Sequence, residues 1–328
     1  KWFSSKQMIY RHTLLFLTMP KTAFLINCNI PKWEKMMNQI ERTFQDIPHQ
    51  IFLSEYAGHL PLLAIEAIQQ GYNNLIVAGG DGSINELVNG VIDSQTIENT
   101  TDWDNLLKIT LGIIPFGTGN DFVKSLQQNL SLSQLKSSIL HHQRKNVDIG
   151  IAEFQNKENQ TSQRYFINIT DVGMGGIVAV ELDKGLKFLP KSIRYKYHIA
   201  KTFLTYKKSE VKITAENYEY QGKVMNVIFA NGKFFGNGLG IAPEAELEDG
   251  LVDLVILGDV SIIDYLSNLA QVTQCKKLNH PQVFYHKTKE IKVESSNNED
   301  LPIDMDGEFI GYAPLKIINL SKRIYFYC

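Results

Sequence analysis

Cysteine is scarce, one-sided charge is absent and no long apolar run occurs, and each shortage removes a class of function. The 328 residues contain three cysteines, Cys28, Cys275 and Cys328, widely separated and without a CxxC pair. An odd number with no spacing pattern argues against a disulfide framework and predicts a reducing compartment. The eight histidines show no H-x-x-x-H or H-E-x-x-H spacing, which argues against zinc. A formal net charge of −2 gives no sign of a nucleic-acid partner. No apolar run reaches the ~18 residues of a membrane span, and neither an internal repeat nor a low-complexity tract is present.

What is present divides the chain. Lys1, Lys6 and Arg11 precede "LLFL", faintly like a secretory leader, but the apolar stretch is short and no small-residue cleavage site follows. "MPKTAFLIN" from Met19 reads as a natural start, so residues 1–20 are set apart as a segment extraneous to the fold. From 21 to 145 short apolar runs alternate with helical spacing: "TAFLIN", "IFLSE", "NLIVAGG" and "KITLGIIPFG" are separated by amphipathic stretches. This predicts a Rossmann-like α/β domain with a mostly parallel sheet, whose ligands bind beyond the carboxyl ends of the strands. From 146 to 328 alternating segments such as "KNVDIGIAEF", "RYFINITDV", "GLVDLVIL" and "LKIINL" predict a largely antiparallel domain, interrupted by helices near 190–208 and 261–277.

Two turns in the first domain carry chemistry. "VAGGDGSINELVNG" (77–90) places Gly79, Gly80, Asp81 and Gly82 between a buried strand and an amphipathic helix. Ser83 and Glu86 form an S-x-x-E capping box, predicting a helix start at Ser83. Free amides and partial positive charge at that start attract phosphate, and glycines leave room for it. A carboxylate there repels phosphate unless a divalent cation lies between them, so the turn reads as a site for a metal–nucleotide phosphate. "IIPFGTGNDF" (113–122) ends a second apolar strand in glycines, a hydroxyl and an Asn-Asp pair, and in a parallel sheet both turns open on one edge. Neither is a Walker A or a G-x-G-x-x-G loop.

Together, "GGDGSINELVNG" and "PFGTGNDF" resemble the diacylglycerol kinase catalytic domain family of lipid kinases, most closely its compact bacterial members. "YAGHLPLLA" (56–64), "NVDIGIAE" (146–153), "NGKFFGNGLGIAPEAELEDGLVDLVIL" (231–257) and "IDMDGE" (303–308) follow in family order. The resemblance implies ATP-dependent phosphorylation of a lipid hydroxyl in a cleft between an α/β domain and an antiparallel β-sandwich domain. It places nucleotide contacts on Gly79, Gly80, Asp81, Gly82, Ser83, Ile84 and Asn85, on Thr118, and on Ser54, where the family usually has threonine. Asn27 matches the start of the family's first phosphate loop, N-P-x-S-G, which reads "NCNIPK" here. It also implies a structural magnesium held by the Asp249 carboxylate and the backbone carbonyls of Glu246 and Leu251. ATP and Mg2+ are the implied cofactors.

Phosphoryl transfer to an alcohol needs a base at the hydroxyl. "DMDGE" supplies Asp304, Asp306 and Glu308. In a strand Asp306 and Glu308 share a face, and D-G-E is the family's catalytic acid motif; which of the two accepts the proton is left open. Residues 184–208 interleave eight cations, from Lys184 to Lys208, with aromatic and apolar side chains, which suits an anionic membrane interface as well as a solvated helix. The expectation is a cytoplasmic enzyme acting on diacylglycerol or a similar lipid alcohol, transiently at the inner membrane surface, with a homodimer left open. The alternatives are an NAD-kinase-like enzyme with a soluble substrate, or a catalytically weak lipid-binding or regulatory homologue.

If the basic stretch docks on lipid, each cation gains about 1 kcal/mol near an anionic surface. Replacing Lys187, Lys191, Arg194 and Lys196 with glutamine is then expected to weaken cosedimentation with anionic vesicles and to reduce its salt sensitivity. Equal binding by wild type and variant assigns the stretch to a solvated helix face.

Overall fold

Five consecutive buried side chains in Thr22–Ile26 (β1) leave no face for solvent, which puts this strand inside a sheet covered on both sides. The computed structural model describes residues 20–98, 100–117, 119–184, 201–202, 205–297 and 299–328. The segment 1–19, Thr118 and most of the basic stretch at 184–208 lie outside the described residues.

Strand β1 pairs in parallel with His49–Leu53 (β2) on one side and Asn74–Gly79 (β3) on the other. Strand β3 in turn pairs in parallel with Thr110–Pro115 (β4). The order β2-β1-β3-β4 means that the chain leaves β1 in one direction and returns to its other side, a topological switch between β1 and β3. Alternate side chains sort to two layers. Phe24, Ile26, Ile76 and Ala78 face a helix over Trp33–Phe44 (α1), which buries Met36, Ile40 and Phe44 at a spacing of four. Ala23, Leu25, Leu75 and Val77 face helices over Leu60–Gln69 (α2) and Asp81–Ser94 (α3). Shorter helices Asp121–Ser125 (α4) and Leu132–His141 (α5) follow β4.

Helix α3 starts two residues before the expected Ser83. Its N-cap is Gly80, extended at φ −101°, and no side chain caps the first turn. Ser83 is buried and accepts a hydrogen bond from Asn27, while Glu86 accepts from backbone groups of Leu60 and Gly58 at the start of α2. The S-x-x-E spacing is therefore used for contacts between loops rather than for a capping box.

The second domain is antiparallel. Arg144–Gln155 (β5) and Thr161–Phe166 (β6) form a hairpin. "RYFINITDV", expected as one segment, breaks at Ile167: Ile169–Gly173 (β7) leaves the hairpin to pair with other strands. A helix over Met174–Lys184 (α6), unforeseen because "MGGIVAVEL" has no polar stripe, follows. Next come Ser209–Ala215 (β8), Tyr218–Val224 (β9), Asn226–Ala230 (β10), Val252–Leu257 (β11), a helix Ile262–Thr273 (α7) and Val283–Thr288 (β12). Glu290–Ser295 (β13), Pro302–Met305 (β14) and Glu308–Tyr327 (β15) complete it. Val227, Phe229, Val252, Leu254 and Ile256 point into the sandwich against Val211, Ile213, Ile291 and Ile317. The intervening Ile228, Ala230, Val255 and Leu257 pack beneath Val272 of α7. Period-two burial on both faces explains why β10 and β11 read as continuous apolar runs.

Strand β15 decides how the domains meet. It starts at the acidic turn, pairs with β14, β13 and β5, and ends beside β4, with Tyr325 opposite Thr110 and Phe326 opposite Leu111 in parallel register. The chain beyond 146 thus returns to the sheet of the first domain and joins all fifteen principal strands into one sheet among the described residues. Among those residues no helix is long and apolar enough to cross a membrane.

Phe326 is fully buried at this junction, edge-on to Phe122 at 5.1 Å between ring centroids. Phe326→Ala is expected to lower stability by ~3–5 kcal/mol in urea titration, as buried Phe→Ala changes do. A loss below about 1 kcal/mol would mean that β15 does not clamp the domains.

Candidate active site

Because β1, β3 and β4 are parallel, the turns after them open on one edge, at the switch point. The turns after β3 and β4 touch: a Cβ added to Gly80 would sit 3.0 Å from the Gly117 Cα. Only glycine permits that approach. The loop after β1 joins them through Asn27, whose Nδ2 donates to Ser83 Oγ at 3.0 Å. Ser54, buried after β2, accepts from the Cys28 amide at 3.1 Å. Asn27 Oδ1 accepts from the Asn29 amide at 2.9 Å, closing "NCNIPK" into a tight turn.

The structure gives these residues unequal opportunities. At the start of α3 the amides of Asp81, Gly82 and Ser83 belong to a first turn that no side chain caps, the arrangement that receives an anion. Gly79 uses its carbonyl to accept from Phe116, and Ile84 buries its side chain in the core. Asp81 turns away from its own helix. Its Oδ2 accepts from the Asp121 amide at 3.1 Å and its Oδ1 from the Phe122 amide at 3.0 Å. The carboxylate therefore caps α4 and locks the two glycine turns together. Burial raises its pKa, against the lowering effect of those two amides.

The acidic motif arrives from the other domain. Asp306 and Gly307 both have positive φ, 50° and 86°, and form the two-residue turn between β14 and β15. Asp-Gly suits such a hairpin turn because both central residues need φ > 0. Asp306 is thus a turn residue, which replaces the expectation that it shares a strand face with Glu308. The two still converge through neighbours on the first domain. Asp306 Oδ2 accepts from Asn85 Nδ2 at 2.8 Å, and Oδ1 from the Ile169 amide at 3.1 Å. Glu308 pairs with Arg164 at 2.8 Å, and a Cβ on Gly82 would lie 3.3 Å from Glu308 Oε1. The acids therefore stand directly over the first turn of α3.

Asn85, buried within α3, is the junction. It also donates to the Tyr165 carbonyl at 3.0 Å and accepts from Arg164 Nε and Nη2 at 3.0 and 2.6 Å. With its carboxamide committed in this way, Asn85 works as an interdomain fastener. Arg164, which the sequence reading did not single out, is the cation that holds Glu308. Its cue was a lone charge on the alternating strand "TSQRYF", indistinguishable from a solvated edge.

More carboxyls crowd beneath. Asp304 lies opposite Asp171 in the β14–β7 register. Both Asp171 oxygens and Asp304 Oδ1 are buried without a hydrogen bond of normal geometry. Burial pushes Asp171 up to about 7 and, joined by the charges of Asp171, Asp306 and Glu308, raises Asp304 well above the usual carboxylate range. Burial also pushes Asp306 up to about 7, despite the amide of Ile169.

The expected structural-magnesium residues are engaged otherwise. Asp249 Oδ1 accepts from the Leu251 amide at 3.0 Å and its Oδ2 from Lys287 Nζ at 2.7 Å. The Leu251 carbonyl accepts from Asn319 Nδ2 at 2.9 Å, and Glu246 is exposed. The described residues contain no group of three His, Cys, Asp or Glu placed to hold a metal. This donor set does not fit a magnesium ion. Burial disfavours the Lys287 charge, but Asp249 and Asp253 together outweigh it and raise its pKa.

Comparison with known proteins agrees with this fold. The diacylglycerol kinase catalytic domain matches residues 24–152, and the YegS C-terminal NAD kinase beta sandwich-like domain matches residues 169–324. A Bacillus subtilis protein named diacylglycerol kinase is 26% identical over 296 residues, covering 89% of this chain and 90% of its own length. One from Staphylococcus carnosus is 26% identical over 276 residues, covering 84% and 83%. Among solved structures, a diacylglycerol kinase from Bacillus anthracis matches with a TM-score of 0.68 at 20% identity, over 94% of this chain and 97% of that one. Yeast NADH kinase complexed with NADH matches at 0.52 and 10% identity, over 95% and 83%. At those identities the two structures speak for the fold alone.

Asp81→Ala, which leaves the Asp121 and Phe122 amides without their acceptor, is expected to cost ~1–2 kcal/mol in urea titration, as the loss of a capping side chain does. Unchanged stability would mean that the carboxylate does not hold α4.

Proposed function

Because the chain belongs to the diacylglycerol kinase catalytic domain family, we propose that it transfers the γ-phosphate of ATP to the hydroxyl of a lipid alcohol such as diacylglycerol. The observation that carries this reading is the hydrogen bond from Asn85 to Asp306, which brings the acids of one domain over the phosphate-receptive helix start of the other. The uncapped amides of α3 and the glycines around them would take the phosphates. Magnesium bound with the nucleotide would offset the phosphate charge.

Asp306 is the proposed base. Its carboxylate is fixed by two hydrogen bonds and stands beside Glu308, so an acceptor hydroxyl arriving above Gly82 meets both acids. In the transfer the oxygen–phosphorus bond to the acceptor forms as the bond to the β-phosphate oxygen breaks, and the hydroxyl proton passes to Asp306. Arg164 positions Glu308 through their ion pair, keeping it directed at the same point. A lipid acceptor implies work at a cytoplasmic membrane surface, touched from outside rather than crossed.

The test is a kinase assay with ATP, Mg2+ and a panel of lipid alcohols, with NAD+ and NADH as soluble alternatives. Phosphorylation of a lipid is expected, and Asp306→Asn is expected to lower turnover by ~10²-fold or more, the usual contribution of a general base. Transfer to NAD+ or NADH alone, or no transfer at all, overturns the proposal. The pH profile checks the base. With a folded pKa of about 7, above the ordinary 3.8, Asp306 is protonated at mildly acidic pH, so kcat/KM is expected to rise through a limb near 7. Stability runs the opposite way. The folded state keeps a proton that the unfolded chain releases, so the contribution is full below the unfolded pKa and is lost as pH rises through about 7. Asp306→Asn is expected to remove the limb and to flatten that part of the stability profile.

A further inference from the structure

We propose that Lys287 stands in place of the structural divalent cation at the 242–254 turn, making this part of the protein independent of metal. The lysine is delivered by register: β12 pairs antiparallel with β11, and Lys287 lies directly opposite Asp253. From there its ammonium reaches Asp249 Oδ2 at 2.7 Å and Asp253 Oδ2 at 3.2 Å. Both carboxylates are largely shielded, with side chains 19% and 10% exposed, so without a cation they would repel each other in a poorly hydrated place.

The rest of the turn is fastened by the chain itself. The Gly250 amide donates to Asp148 Oδ2 at 2.6 Å, the Asp148 amide donates to the Leu247 carbonyl at 2.7 Å, and Asn319 holds the Leu251 carbonyl. Magnesium requires near-octahedral oxygen ligands at short range, whereas an ammonium is satisfied by a few acceptors at hydrogen-bond distance. One hydrogen bond to Asp249 and an ion pair with Asp253 around one tethered ammonium meet the second requirement and not the first. A tethered cation also differs in its response to conditions: a bound metal stabilises in proportion to the logarithm of its concentration, and a lysine does not.

The inference stands apart from the kinase reading, because neither of its readouts uses transfer activity. Purified wild-type protein is dialysed against metal-free buffer, its metal content is measured by mass spectrometry, and its Tm is recorded without nucleotide in EDTA and in millimolar Mg2+ or Ca2+. Wild type is expected to hold substoichiometric metal and to show one Tm in all three buffers. Lys287→Met is expected to melt lower in EDTA and to recover with Mg2+ or Ca2+. The double variant Lys287→Met/Asp249→Asn is expected to lose that response, since half the anionic pair is gone. Wild type that retains an equivalent of divalent metal and melts earlier in EDTA overturns the proposal. So does a folded Lys287→Met variant with no metal response. The wild-type measurements decide the question even if Lys287→Met fails to fold.

Discussion

Strand β15 imposes the constraint on which the candidate site depends. Its first residue, Glu308, belongs to the acidic turn, and its last three lie in or beside the parallel sheet of the other domain. A strand hydrogen-bonded along its length to β5 and β13 transmits position, so the acids are placed relative to β4 and its turn by backbone pairing. The hydrogen bonds of Asn85 then fix the remaining gap at the level of side chains. Two domains joined by one sheet and a shared core cluster thereby share one rigid edge, which is what chemistry between groups from both requires.

The electrostatics of that edge are lopsided. Asp171, Asp304, Asp306 and Glu308 gather at this edge, and among the described residues the guanidinium of Arg164 touches Glu308 and Asn85 and lies near Glu86 and Asp306. Burial and mutual repulsion raise several of these acids, and some of them keep protons near neutrality. Such a cluster destabilises the fold locally. It suits a site whose reaction accepts a proton from one partner and handles phosphate charge from another.

The first loop shows how a changed motif can be absorbed. Where the family pattern has a serine and a glycine, "NCNIPK" closes through Asn27 onto Asn29 and reaches across to Ser83. Ser54 supports it by accepting from Cys28. The loop keeps its place at the switch point by side-chain bonds, in a region where a glycine-rich loop would rely on open backbone amides.

Local pattern in the sequence determined the layers. Apolar runs in 22–26, 74–79 and 110–115 dictated buried parallel strands, and helical spacing from Trp33 to Phe44 dictated the cover. The glycine turns were legible because few residues tolerate such backbones, whereas Asp306, expected on a strand face with Glu308, sits in the Asp-Gly turn itself. Beyond them the reading ran out for definite reasons. Helix α6 has no polar stripe to betray it, and the box at Ser83 and Glu86 was spent on contacts with Asn27 and α2. Arg164 and Lys287 each sit on a strand where an isolated charge looks like solvent exposure. Only tertiary structure decided that Arg164 meets Glu308, that Lys287 meets Asp249, and that the chain's last strand returns to its first sheet. Those pairings join residues far apart in the chain, and periodicity reports which face a residue takes but not which distant partner the register brings to it.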